Sequence, residues 1–142
     1  MFYRLSPVKL WKNISISFLI IGVVFALIGT FTVSGDMVVQ WSSEGVPTNY
    51  SGKWVLWVMV VLAFLSMFTH KSFIENSIVS VSFSEEISGA ISSGLTATWS
   101  ITNVILVIYN YLGSTIVLIV GICLVAFCYA SFALLACIRE RK

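Results

Sequence analysis

Apolar positions in this chain gather in long unbroken runs. Residues 14 to 33, ISISFLIIGVVFALIGTFTV, hold no ionisable side chain, and such a run matches the roughly 20 apolar residues a helix needs to cross the hydrocarbon of a bilayer. A second run opens on Trp54 and Trp57 and closes at Thr69, just before His70 and Lys71. The apolar stretch that leads to Ile138 is too long for one crossing, so a break is required, and Asn110, Gly113 and Ser114 supply its turn chemistry. The pattern predicts four spans at about 14–33, 54–69, 95–111 and 114–138. The second is short and calls for snorkelling and adjustment of the bilayer.

Two polar stretches separate these runs. Residues 34–53 carry Gly, Pro, Asn and Ser with little charge and read as a structured loop. Residues 71–94 include Glu75, Glu85 and Glu86. Within them VSVSFS at 79–84 alternates as a strand does, while Ser82-Phe83-Ser84-Glu85 has capping-box spacing and would open a short amphipathic helix through Ile87, Ile91 and Leu95. The interfacial helix is the favoured expectation.

Charge sets the expected orientation. Arg4, Lys9 and Lys12 precede the first span, with Trp11 at headgroup level, and Arg139, Arg141 and Lys142 follow the last. The positive-inside rule then places both termini in the cytoplasm, the 34–53 loop outside and 71–94 inside, in a protein of the cell membrane. Val33-Ser34-Gly35 resembles a signal-peptidase site, but the run before it exceeds a signal core, so an uncleaved span is expected. With no repeat or low-complexity tract, residues 1–142 read as one all-α integral membrane domain, a four-transmembrane-helix bundle with a structured extracytoplasmic loop after its first helix.

Composition agrees with this class. Hydrophobic residues make up 58% of the 142 and charged residues 10%, with a mean hydropathy of +1.00; soluble domains carry about 25% charge. The net charge of +2 is too small and too terminal for a nucleic-acid surface. Cys123, Cys128 and Cys137 all lie in the last span, where packing as small hydrophobes is the expected role.

Membrane helices associate through small residues and interhelical hydrogen bonds, because apolar side chains gain little by leaving lipid for each other. Gly22, Ala26 and Gly29 form a small-residue face in the first span, and Cys123, Ala126, Ala130, Ala133 and Cys137 a similar stripe in the fourth. Packing within the chain is the first expectation for both; a partner or homo-oligomer contact is the alternative. Asn103 and Asn110 share a face of the third span with Ser100 and Thr96, either as glue between helices or as the lining of a hydrated path.

The chemistry of catalysis and coupled transport is sparse. No Asp, Glu, Lys or Arg falls inside the expected spans, and proton-coupled transporters usually rely on such a group. The single His70 and the single Asp36 belong to opposite ends of the second span, and His70 with Glu75 specifies neither a metal nor a nucleophile. P-loop, GxSxG and HExxH motifs are absent. No enzyme, cofactor or metal site is expected. Of the sequons at Asn13 and Asn49, only Asn49-Tyr50-Ser51 would be extracytoplasmic, available to a host that glycosylates.

The loop carries the one family likeness. Trp41, Gly45, Pro47, Tyr50 and Lys53 stand at the spacing of the pattern P-x-H-W-N-x-x-G-x-P-D-x-Y-x-x-K, with Asp36 ahead of them. The segment resembles a family of uncharacterised bacterial and archaeal membrane proteins whose domain also forms the N-terminal part of the immunity protein against the sporulation-delaying toxin. Val38, Gln40, Ser42 and Thr48 replace the pattern's Pro, His, Asn and Asp, so a role of that His in metal or proton chemistry does not carry over. The resemblance covers residues 14–69. It implies immunity-like or partner-binding work through Asp36, Gln40, Trp41, Gly45, Pro47, Tyr50 and Lys53, toward a membrane-active peptide or another membrane protein. The rival expectation is a small accessory subunit of a larger membrane complex, and a weaker one an oligomeric channel or transporter.

Overall fold

The computed structural model describes residues 6–69 and 84–141. His70, Glu75 and most of the alternating 79–84 stretch lie outside the described residues. In chain order the elements are helix α1 (Pro7–Thr32), strands β1 (Met37–Trp41) and β2 (Pro47–Ser51), and helices α2 (Trp54–Ser66), α3 (Glu85–Leu112) and α4 (Thr115–Glu140).

Among the described residues three helices, α1, α3 and α4, are long and apolar enough to cross a membrane. The 28 residues of α3 extend about 42 Å. The 13 residues of α2 reach about 20 Å, short of a hydrocarbon core of about 30 Å. Helix α1 begins two turns before the expected span because Pro7 stands at its first position, where a fixed φ suits a helix and the missing N–H costs nothing.

The expected interfacial helix is not a separate element. Its residues form the first turns of α3, which runs through Leu95 without a break. Ser84, rather than Ser82, is the N-cap: its hydroxyl accepts the Ile87 N–H at 3.2 Å, and Glu85 and Glu86 occupy the first turn, where carboxylates complement the helix dipole. Continuity follows from packing. Ser88, Gly89, Ser92 and Ser93 are buried and continue toward the N-terminus the face that Thr96, Ser100 and Asn103 occupy.

Helix α3 is the centre of the bundle, packed against α1, α2 and α4, while α1 and α2 also touch each other. Gly113 ends it in the left-handed conformation (φ 60°), its N–H bonded to the Tyr109 carbonyl at 2.7 Å. Ser114 then leads directly into α4. Asn110, expected in this turn, is still helical.

Two apolar clusters sit at opposite ends. Ala26, Val33, Met37, Leu56, Leu106 and Val107 form one beneath the strands, and Trp11, Ala90 and Ala136 the other. Helix α4 leans on α3 along one seam in which only Gly121 and Ala136 are fully buried. Ala126, Ala130 and Ala133 are exposed, as are Cys123 and Cys137, with Cys128 half-buried. This corrects the expectation of packing within the chain: the seam runs instead through Gly121, Cys128, Phe132 and Ala136, because larger side chains of α3, such as Ile105 over Gly121, fill the contact.

Candidate functional site

The 34–53 loop folds into an antiparallel hairpin. Its register pairs Met37 with Ser51, Val38 with Tyr50, Gln40 with Asn49 and Trp41 with Pro47, with irregularities on either side of Gln40. Ser42 organises the tip. Its carbonyl accepts the Gly45 N–H at 2.9 Å, its own N–H bonds to the Val46 carbonyl at 2.8 Å, and its hydroxyl accepts the N–H groups of Glu44 and Val46. Gly45 has φ 77°, a conformation that a Cβ would disfavour.

Four ties hold the hairpin and the strand-to-helix junction to the bundle. Met37 is fully buried in the apolar cluster below. The Val38 N–H donates to Asn110 Oδ1 at 3.0 Å, while Asn110 Nδ2 donates to the Leu106 carbonyl at 2.7 Å. Trp41 meets Tyr109 edge-on at 4.8 Å, in the geometry aromatic pairs prefer. Lys53 Nζ donates to the Thr30 carbonyl at 3.0 Å near the end of α1, where a cation also suits the helix dipole. Beside it Trp57 Nε1 donates to Thr30 Oγ1, and Tyr111 donates its hydroxyl to Thr32.

The seven candidate loop residues therefore do not share one surface. Trp41 and Lys53 are engaged by the bundle, Gly45 and Pro47 are half-buried, and Asp36, Gln40 and Tyr50 are exposed. Asn49 is exposed and accepts the Tyr50 N–H at 2.9 Å.

Beneath the hairpin runs a polar seam between α1, α2 and α3. Asn103 is fully buried and its Nδ2 donates to the carbonyls of Gly22 (3.2 Å) and Leu56 (3.0 Å), joining three helices through one amide. Thr96 bonds back to the Ser92 carbonyl, Ser92 donates to the Ser66 carbonyl at 2.8 Å, and the Ser15 and Ser93 hydroxyls meet at 3.0 Å. The other seam residue, Asn110, lies beyond it and serves the hairpin. On α1, Gly22 faces Ser100, Ala26 is fully buried, and Gly29 admits Leu56 and Val107 so closely that a Cβ there would stand 2.6 Å and 2.7 Å from their methyl carbons.

A third cluster closes the opposite end. Glu86, buried, accepts the Trp11 indole N–H at 2.7 Å and pairs with Arg139 Nε at 2.6 Å. Ser84 bonds to Glu140 alongside. Gly89 makes room for the indole, since a Cβ there would stand 2.2 Å from Trp11 Cδ1. Sequence reasoning missed Glu86 by starting the third span at Leu95, ten residues after the helix begins. The available signal was the spacing of Ser88, Ser92, Thr96, Ser100 and Asn103, a polar face with helical period that leads back to Glu86.

Compared with protein-family models, curated proteins and solved structures, the chain matches none.

Proposed function

We propose that this chain is a non-enzymatic, multi-pass cell-membrane protein whose hairpin is an extracytoplasmic recognition surface for a membrane-active peptide or another membrane protein, in the manner of an immunity protein. In this reading α2 is a fourth, short crossing and both termini are cytoplasmic. The observation that carries the proposal is the fixed hairpin. Asn110 and Met37 anchor its inner strand, while Gln40, Thr48, Asn49 and Tyr50 remain exposed. A pre-ordered surface loses less entropy on binding than a loose loop, and rigidly mounted loops often carry binding residues. The test places a photo-crosslinking residue at Tyr50 in native membranes. One discrete adduct, lost in a Gln40→Ala/Thr48→Ala variant that still folds, is expected; its absence overturns the reading.

A second reading has its own observation. The small-residue stripe of Ala126, Ala130 and Ala133 is exposed on α4, where a neighbouring helix of a larger complex could approach closely. Ala130→Leu would then release the protein from that complex and leave the isolated chain intact. The channel reading receives less support, because Asn103 is fully buried and its Nδ2 is engaged by two backbone carbonyls.

A further inference from the structure

Because α2 ends at Ser66, whose carbonyl is held by Ser92, the first turns of α1 leave an open groove of about 440 Å³ against the end of α2. Its walls are Val8 of α1 and Phe64, Met67 and Phe68 of α2 and the turn after it, and Lys12 lies at its edge. The remaining polar groups lining it have partners within the protein: Trp11 bonds to Glu86, Ser15 to Ser93 and Ser92 to Ser66. Lys12 differs. It is exposed, as is Lys9 one turn before it, and among the described residues neither has an ion-pair partner, whereas Glu86 is already matched by Arg139.

We infer that this groove is a binding site for one anionic phospholipid, its acyl chain lying along Val8, Phe64, Met67 and Phe68 and its phosphate meeting Lys9 and Lys12. The complementarity is specific in two respects. An apolar trough at the edge of an apolar bundle accepts a hydrocarbon chain, and its volume lies within the range of small-molecule sites. The ammonium group of Lys12 at the groove's edge, with the exposed Lys9 one turn before it on α1, favours a negative headgroup over a zwitterionic one, since each basic residue near an anionic lipid surface adds about fivefold to affinity. The inference does not depend on the hairpin, which lies at the other end of the bundle.

The experiment is native mass spectrometry of the whole protein, delipidated in mild detergent and titrated with dioleoylphosphatidylglycerol or, separately, with dioleoylphosphatidylcholine. A single saturable phosphatidylglycerol adduct is expected, with weaker phosphatidylcholine binding. Lys9→Gln/Lys12→Gln should weaken the phosphatidylglycerol adduct by about fivefold per lysine and leave phosphatidylcholine binding and the melting temperature without lipid unchanged. Met67→Trp, which fills the half-buried trough, should abolish the adduct while the far-ultraviolet dichroism stays native. Equal binding of the two lipids, non-saturating adducts, no adduct, or wild-type phosphatidylglycerol affinity in the lysine variant would each overturn the assignment.

Discussion

The indole N–H of Trp11 lies 2.7 Å from a carboxylate oxygen of Glu86, in a pair separated by 75 positions of sequence. Because Glu86 also holds Arg139, one carboxylate joins the first turns of α1 and α3 to the last turn of α4. Glu86→Ala should destabilise the bundle by about 3–5 kcal/mol, since it breaks a partly buried ion pair and removes the acceptor of the Trp11 N–H, and Trp11→Phe by about 1.5–3 kcal/mol through loss of a hydrogen bond to a charged group. Thermal unfolding in detergent checks both. Equal, small losses would show that the cluster contributes little.

Asn103 makes the converse prediction, because its partners are carbonyls that helix hydrogen bonds already satisfy. Asn103→Leu should cost about 0.6–1.7 kcal/mol, the range of interhelical hydrogen bonds in membranes. Asn103→Ala should cost more, through the cavity it leaves. Steric-trap or chemical unfolding in bicelles distinguishes the two.

Asn110 acts on the hairpin rather than on the seam. Asn110→Ala removes the acceptor of the Val38 N–H and should cost about 1 kcal/mol. The expected signature is local: faster hydrogen exchange at the Val38 amide, with α3 protection retained. Uniformly faster exchange throughout the protein would contradict that view of its role.

Gly89→Val should be far more damaging than its size suggests, because the added carbon would fall 2.2 Å from Trp11 Cδ1. Overpacking of about 1–3 kcal/mol is expected, together with quenching or a spectral shift of the tryptophan emission as the indole leaves Glu86.

Much of the helical framework is legible in apolar run length, and the break between α3 and α4 in turn chemistry. The hairpin was legible only as an ordered loop. Its register depends on Ser42 and on Met37, whose burial no local pattern announces. The start of α3 was misread because Ser88, Gly89, Ser92 and Ser93 are polar or small, and a hydropathy criterion scores such a face as solvent-exposed; here the face is buried, and the hydroxyls of Ser92 and Ser93 bond to the neighbouring helices α2 and α1. The α4 stripe was misread for the opposite reason: small residues permit close approach but do not say which neighbour arrives.

The two-residue link at Gly113 and Ser114 has a consequence for biogenesis. Laid end to end, the 28 residues of α3 and the 26 of α4 would make a rod of about 80 Å, more than twice the depth of a hydrocarbon slab. A ribosome-fed segment of that length cannot remain straight once inserted, so the bilayer itself compels the chain to double back. Gly113 chooses where. The α3–α4 pair would enter as one arm, and α1 and α2, made before it, would already be in place to cover the serine-rich side of α3.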